Sequence, residues 1–276
     1  MNRHVFKANR LKMEETGVRV DTFVDGPGSG NAAVVFALPS PRETAWMQQI
    51  ACNMKVSETA FFYPTHDGFH LRWLSPIMEV DLCGHGTLAA AHVLRETGYF
   101  TTHSTARFVT HSGVLTARPQ ADWIELDFPT LAQQATIPTP ELVKALGTPF
   151  VYVGTDGDDY LVELESEDDV RSLRPNIHLL STVRARAIIV TSRASSPRYD
   201  IVSRVFAPSL GIDEDPVTGS AHCCLGPYWM AKLHKPELIA YQASSRGGLL
   251  HLRMHDSRVL LSGKAITVHN NVSCPS

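Results

Sequence analysis

The 276-residue sequence predicts an α+β protein of two similar lobes, each a sheet wrapped around one central, buried helix. Three observations carry this. Short segments with strand-like alternation or apolar runs recur along most of the chain. Two almost wholly apolar helices are each entered through a glycine-containing turn, Cys83-Gly84-His85-Gly86 and Thr218-Gly219-Ser220-Ala221. Each of these helices is flanked by strands on both sides. The chain therefore reads as one kind of unit used twice, at a period far too long for a solenoid.

Residues 1–17 read as a loose leader. Residues 18–24 alternate as a strand, and the glycine-rich turn Asp25-Gly26-Pro27-Gly28-Ser29-Gly30-Asn31 leads into the apolar run 32–38. The spacing of Trp46, Met47, Ile50 and Met54 predicts a helix over 41–54. Strands are expected at 57–63 and 69–74. The turn 81–87 then feeds an alanine-rich helix that Gly98 ends, and its lack of a polar face predicts burial. Strands follow at 106–110, 114–118 and 123–128. The stretch Pro129 to Pro140, rich in Gln, Thr and Pro, reads as the connection between lobes. This gives an N-terminal lobe of 1–132 and a C-terminal lobe of 133–276, whose last strand is free to complete the first lobe. Within the second lobe, strands are expected at 149–153, 160–164, 186–191 and 199–205. The loop 213–221 enters the helix His222 to Leu233, and strands at 248–254 and 258–268 close the chain.

Composition narrows the function. Charged residues make up 19% and the net charge is −3, which lacks the basic face that nucleic acid requires. Arg184 and Arg186 are a short, interrupted pair and read as solvated surface. No apolar run approaches the roughly 18 residues needed to span a bilayer, and the polar start is not a signal peptide. The five cysteines, Cys52, Cys83, Cys223, Cys224 and Cys274, include no C-x-x-C pair. Reduced thiols in a cytosolic protein are the simplest reading, and the Asn271-Val272-Ser273 sequon then carries no meaning.

The two helix starts are the first candidates for chemistry. A helix N-terminus offers unpaired N–H groups and the positive end of the dipole, and glycine lets a ligand approach them closely. Gly84 and Gly219 therefore point to anion or enolate binding, or to close helix packing. Glu58 precedes the apolar run Thr59-Ala60-Phe61-Phe62. If desolvated, its carboxyl shifts toward neutrality and suits a group that takes and returns a proton. The alternative is an edge-strand glutamate facing water. Asp215 and His85 lie in the two entry loops, where they orient a polar substrate or relay a proton, or simply cap the loops. A thiol at Cys83 would be acidified by the helix start, but the matching position in the second repeat is Thr218, too weak an acid for a two-base racemase. Cys223 and Cys224 lie deeper in their helix and read as packing. Gly26-Pro27-Gly28-Ser29-Gly30 does not have the G-x-G-x-x-G spacing of a dinucleotide site, and strands follow where a βαβ unit needs a helix.

Taken together, the segments Gly30-Asn31-Ala32-Ala33, Ser57-Glu58-Thr59-Ala60-Phe61, Leu82-Cys83-Gly84-His85-Gly86-Thr87-Leu88-Ala89, Phe206-Ala207-Pro208 and Glu214-Asp215-Pro216-Val217-Thr218-Gly219-Ser220-Ala221-His222 resemble the PhzF-like phenazine-biosynthesis family. Gln242 and Arg246-Gly247-Gly248 complete the set, which runs in order over residues 18–268. The resemblance implies the diaminopimelate epimerase-like fold: two pseudo-symmetric lobes, each a mostly antiparallel sheet around a central helix, with the active site in the cleft between them. It implies a cytoplasmic homodimer acting on a small carboxylate, with no cofactor and no metal. By position it implies Glu58, His85 and Asp215 as catalytic residues, Glu58 as the proton shuttle and the other two among the polar residues that surround the substrate. Asn31, Gly84, Gly86, Thr218, Gly219 and Ser220 fall on substrate-binding positions, and Cys83 on a possible secondary one. The implied activity is a proton-moving isomerase similar to trans-2,3-dihydro-3-hydroxyanthranilate isomerase. A cysteine-dependent epimerase or racemase, and a non-enzymatic binding protein on the same fold, are the alternatives. Ala32 stands where the family usually has proline and Gly86 where it usually has alanine, which bears on substrate more than on fold.

Overall fold

The structure, a computed structural model, describes residues 16–99 and 104–273. The expected leader apart from Thr16 and Gly17, the Asn271 and Ser273 side chains, and Cys274 fall outside the described residues. The chain divides into two compact units, each discontinuous in sequence. The first is Met1–Val20, Ala32–Ile124 and Ala265–Ser276; the second is Asp21–Asn31 and Glu125–Lys264. The sequence expectation joined the lobes between residues 132 and 133. Hydrogen bonding explains the different division. Trp123–Pro129 pairs with Arg258–Gly263, and Arg258 is bound to Asp127. The turn Asp21–Asn31 is tied down by Gly30 N–H to Gly247 O at 2.6 Å and Leu249 N–H to Phe23 O at 2.9 Å. The run expected as one strand over 258–268 breaks at Lys264, and Ala265–Ser273 pairs instead with Thr16–Thr22.

In the first unit, Asn31–Ala37 runs parallel to Glu58–Thr65, which pairs antiparallel with Gly68–Leu74. Gly68–Leu74 takes the short strand Glu79–Val80 antiparallel and Ala106–Thr110 parallel, and the latter pairs antiparallel with Gly113–Gln120. Helix α1, Thr44–Asn53, lays Met47, Ile50 and Ala51 against Val34, Phe36 and Phe61. Phe36 and Phe61 stack with centroids 5.2 Å apart. Helix α2, Gly84–Glu96, is buried at every residue from Gly84 to Leu94, as its composition predicts.

The second unit repeats these steps. It opens with helix α3, Pro140–Leu146. Asp159–Glu163 then runs parallel to Ala187–Arg193, which pairs antiparallel with Ile201–Ala207. Between the parallel pair lie helices α4, Glu167–Ser172, and α5, Ile177–Leu180, where the first unit has α1. Ile201–Ala207 takes the short strand Ile212–Asp215 antiparallel and Glu237–Gln242 parallel, and Glu237–Gln242 pairs antiparallel with Gly248–His255. Helix α6, Gly219–Leu233, holds the place of α2. The succession of parallel and antiparallel steps is the same in both units, so the repeat seen in the two entry turns is a repeat of topology. Pro227 sits inside α6 and has no N–H, which leaves the Cys223 carbonyl without its helical partner. The Leu131 N–H supplies that bond at 3.1 Å.

Among the described residues no helix is long and apolar enough to cross a membrane. The glycine-rich turn enters a strand, not a helix, and Ser29 Oγ closes it by accepting from Asp25 and Gly26 N–H. Gly30 has φ +84°, and a Cβ there would lie 2.3 Å from the Thr22 carbonyl oxygen. Gly26 has open space around it. Gly30→Ala is therefore expected to cost about 2–4 kcal/mol, read as a lowered denaturation midpoint, while Gly26→Ala stays within about 0.5 kcal/mol of the wild type.

Candidate active site

In the first unit the chemistry gathers at the start of α2. Cys83 is extended (φ −140°, ψ 107°) and caps the helix, its Sγ accepting from the Gly86 N–H at 3.3 Å. This is the task that serine or aspartate usually performs. Gly86 has a steric reason: a Cβ there would lie 2.6 Å from Trp73 Cδ1 and 3.0 Å from Cys83 Sγ. His85, in the same first turn, is buried, and its Nε2 lies 3.1 Å from Glu58 Oε2 and 3.3 Å from Ser57 Oγ. Its Nδ1 lies 3.5 Å from Cys83 Sγ. Glu58 is the first residue of its strand, opposite Ala33, and its side chain is only 12% exposed. It is therefore not an edge glutamate facing water.

Two opposed effects set the charge of this cluster. Burial works against a charged imidazole, yet the negative neighbours raise the His85 pKa well above the ordinary histidine value. Burial also pushes the Cys83 thiol up, against the pull of His85 and the Gly86 N–H. Cys83 is thus a neutral thiol at neutral pH. Cys83 is the larger of the two raising neighbours and Glu58 the second, so while the thiol keeps its proton the Glu58 carboxylate is the neighbour that supports a charged His85.

In the second unit the corresponding helix start is built differently. Thr218 occupies the cap position of α6 but makes no side-chain cap; its Oγ1 donates to Asp215 Oδ2 at 2.5 Å. Asn31 Nδ2 donates to Asp215 Oδ1 at 2.8 Å and to the Val217 carbonyl at 2.9 Å. Gln242, fully buried, accepts from the Thr218 N–H at 2.8 Å and donates to the Asp215 carbonyl at 2.8 Å. Both Asp215 oxygens are engaged in shaping this loop. Gly219 is the first helical residue, and Ser220 Oγ accepts from Arg186 Nη1 at 3.4 Å. Arg186 is not the freely solvated residue that its sequence neighbourhood predicts. It is bound to the buried Asp159, whose carboxyl burial raises to about 6 against the opposing pull of Arg186. Arg184 is exposed, as expected.

By topology Cys83 corresponds to Thr218 and His85 to Ser220. The acid–imidazole pair of the first unit thus has an arginine–serine pair as its counterpart in the second. Glu58, Cys83, His85, Gly84 and Gly86 form one group; Asn31, Asp215, Thr218, Gly219 and Ser220 form the other. Sequence reasoning missed Arg186, which carries no local signal. It noted Gln242 only as a motif residue, although burial of an amide that bonds at both ends marks it as the brace of this loop. Cys223 and Cys224 are packed in α6 as expected, with burial pushing the Cys223 thiol up to about 12.

One turn into α6, His222 donates from Nδ1 to the Thr218 carbonyl at 2.8 Å, and its buried Nε2 has no hydrogen-bond partner among the described residues. Burial lowers its pKa from 6.5 to about 4. Between these values the unfolded chain binds a proton that the native protein does not, so stability rises with pH across this window. As pH falls from 6.5 to 4 this one group is expected to remove on the order of 3 kcal/mol. Urea titrations of wild type and His222→Leu at both pH values check this, the variant losing that part of the slope.

The protein family described as "Phenazine biosynthesis-like protein" matches residues 20–271. An uncharacterized isomerase of Halalkalibacterium halodurans is 50% identical over 250 residues, covering 90% of this chain and 94% of the relative. An uncharacterized isomerase of Pseudomonas aeruginosa is 45% identical over 250 residues, covering 91% and 95%. The crystal structure of a PhzF family protein from Enterococcus faecalis superposes with a TM-score of 0.86 at 37% identity, over 92% of this chain and 97% of that one. The fold is the diaminopimelate epimerase-like one that the sequence implies. The chain belongs to the phenazine biosynthesis-like, or PhzC-PhzF, family.

Proposed function

We propose that the protein is a cofactor-independent isomerase that moves a proton on a small unsaturated or amino carboxylate, with Glu58 as the single acid/base. The observation that carries the reading is the 3.1 Å contact between Glu58 Oε2 and His85 Nε2 at the start of a buried helix. Glu58 takes a proton from a carbon α or vinylogous to the substrate carboxylate. The electron pair left behind delocalises into the conjugated system, and the N–H groups of Gly84 and His85 together with the His85 ring stabilise the anion. Glu58 then returns the proton at another carbon on the same face. Such a step needs a base and a stabilised anion, and no electron or hydride changes hands.

Asp215 and Gln242 serve by holding Asn31, Thr218 and the first turn of α6 in place. Gly219, Ser220 and Arg186 then make the start of α6 rich in donors of the kind that suit an anionic group. The reading includes a biosynthetic role in the cytoplasm as a homodimer, which sedimentation of the purified chain addresses. The cysteine-dependent racemase fares worse, because its base would be a thiol that burial keeps protonated and its partner a threonine.

The test is deuterium uptake and isomer formation by mass spectrometry in D₂O, with a panel of small unsaturated and amino carboxylates that includes a dihydro-hydroxyanthranilate. Glu58→Gln is expected to lower turnover by about 10²–10⁴-fold. Cys83→Ser is expected to retain most of it. A Glu58→Gln variant that keeps more than a tenth of wild-type turnover removes the one-base mechanism, and an inactive, folded Cys83→Ser revives the thiol.

A further inference from the structure

The proposed proton transfer leaves one buried group without a task. Cys83 is neither base nor acid in it, yet its sulfur sits 3.5 Å from His85 Nδ1 and 4.0 Å from Nε2. Glu58, Cys83 and His85 each offer one ligand atom, and the three atoms lie within 4.8 Å of one another. A tetrahedral ion with bonds of about 2.0 Å to nitrogen and oxygen and about 2.3 Å to sulfur needs its ligands roughly 3.3–3.5 Å apart. With Nε2 as the imidazole ligand, the nitrogen–oxygen edge is 3.1 Å and the nitrogen–sulfur edge 4.0 Å, so a small side-chain adjustment brings the three atoms onto one ion.

From this geometry we propose that the start of α2 is a three-ligand site for a borderline-soft divalent cation of the Zn²⁺ class. The donor set of one thiolate, one imidazole and one carboxylate selects Zn²⁺ over Mg²⁺ or Ca²⁺, which require oxygen ligands. The Gly86 N–H already pointing at Sγ, and the helix start behind it, favour the thiolate that the ion requires. On binding, the Cys83 thiol and the His85 imidazolium each release a proton to solvent, and the S–Zn and N–Zn bonds take their places. The partly exposed Glu58 side chain is the open side of the cluster, where water completes the coordination. The other repeat has no such site, because Thr218 and Ser220 stand where Cys83 and His85 would be needed. The consequence, which rests on the proposed function, is inhibition: a bound ion occupies the Glu58 lone pair that takes the proton and displaces the His85 proton that stabilises the anion.

The experiment is a titration of the reduced, full-length protein with Co²⁺ as an optical probe. Four-coordinate Co²⁺ with a thiolate ligand is expected to give a near-ultraviolet charge-transfer band and strong visible bands, which added Zn²⁺ erases. Cys83→Ser is expected to abolish the near-ultraviolet band while keeping the wild-type circular dichroism. Glu58→Gln is expected to weaken binding by at least the roughly 10-fold that loss of an outer partner costs. Cys223→Ala and Cys52→Ser are expected to leave the spectra unchanged. Absence of the band with Co²⁺ in excess overturns the proposal, as does a band that survives in Cys83→Ser. Because the spectra require no turnover, they decide the site even where the isomerase reading fails.

Discussion

The contact between the Glu58 carboxylate and the His85 imidazole places two opposite charges at the first turn of α2, where water scarcely reaches. Neither charge is stable there alone, since burial of an isolated ion costs several kcal/mol. Each is tolerated because of the other and because the helix start adds its own partial charge. That mutual dependence explains the neighbours. Cys83 caps the helix with a neutral sulfur and so adds no competing charge. Gly86 has no side chain because the Trp73 indole and the Cys83 sulfur fill its space. Burial of α2 from Gly84 to Leu94 keeps most water from the cluster and leaves the partly exposed Glu58 side chain as its open side.

The duplicated topology carries two different chemistries. In one unit the strand that leads to the helix turn brings a glutamate to an imidazole. In the other the same steps bring an arginine to a serine, and a carboxylate is spent on structure. Asp215 is held by Asn31 and Thr218, and Gln242 braces the loop by bonding both its backbone and its threonine. One unit thus sets an acid beside an imidazole, and the other shapes a donor-rich helix start. The proposed cation site follows the same division, since among the described residues only the first unit gathers soft and hard donors at one point.

Much of this was legible in the sequence, and what was not has identifiable physical causes. The buried helices α2 and α6 declared themselves through unbroken apolar composition and small residues at their starts. Glu58, Cys83 and His85 were named from their motifs, but their convergence was not, because it depends on a strand start meeting a helix start across 25 residues of chain. Helix α3 was hidden by the prolines that seemed to mark a connection. Its signals were present: Thr139 caps Leu142, a proline follows at the first turn, and Gly147 ends the helix with φ +62°. Helices α4 and α5 are short, and Ser166 and Asn176 cap them without much amphipathic pattern. The strand Glu237–Gln242, where the sequence reading names no element, follows the end of α6 closely. Arg186 was unreadable, because nothing local distinguishes an arginine bound to a buried aspartate from one in water.

The central claim is that Glu58 sets the charge of His85, and the most direct measurement is a titration of the His85 imidazole by ¹⁵N-resolved NMR. It would be run in chelator-treated buffer on the wild type and on Glu58→Gln. The account predicts that His85 in the wild type titrates well above the ordinary histidine range and that its pKa falls when the carboxylate is replaced. A wild-type His85 that titrates as an ordinary histidine, or one indifferent to the loss of Glu58, would contradict it.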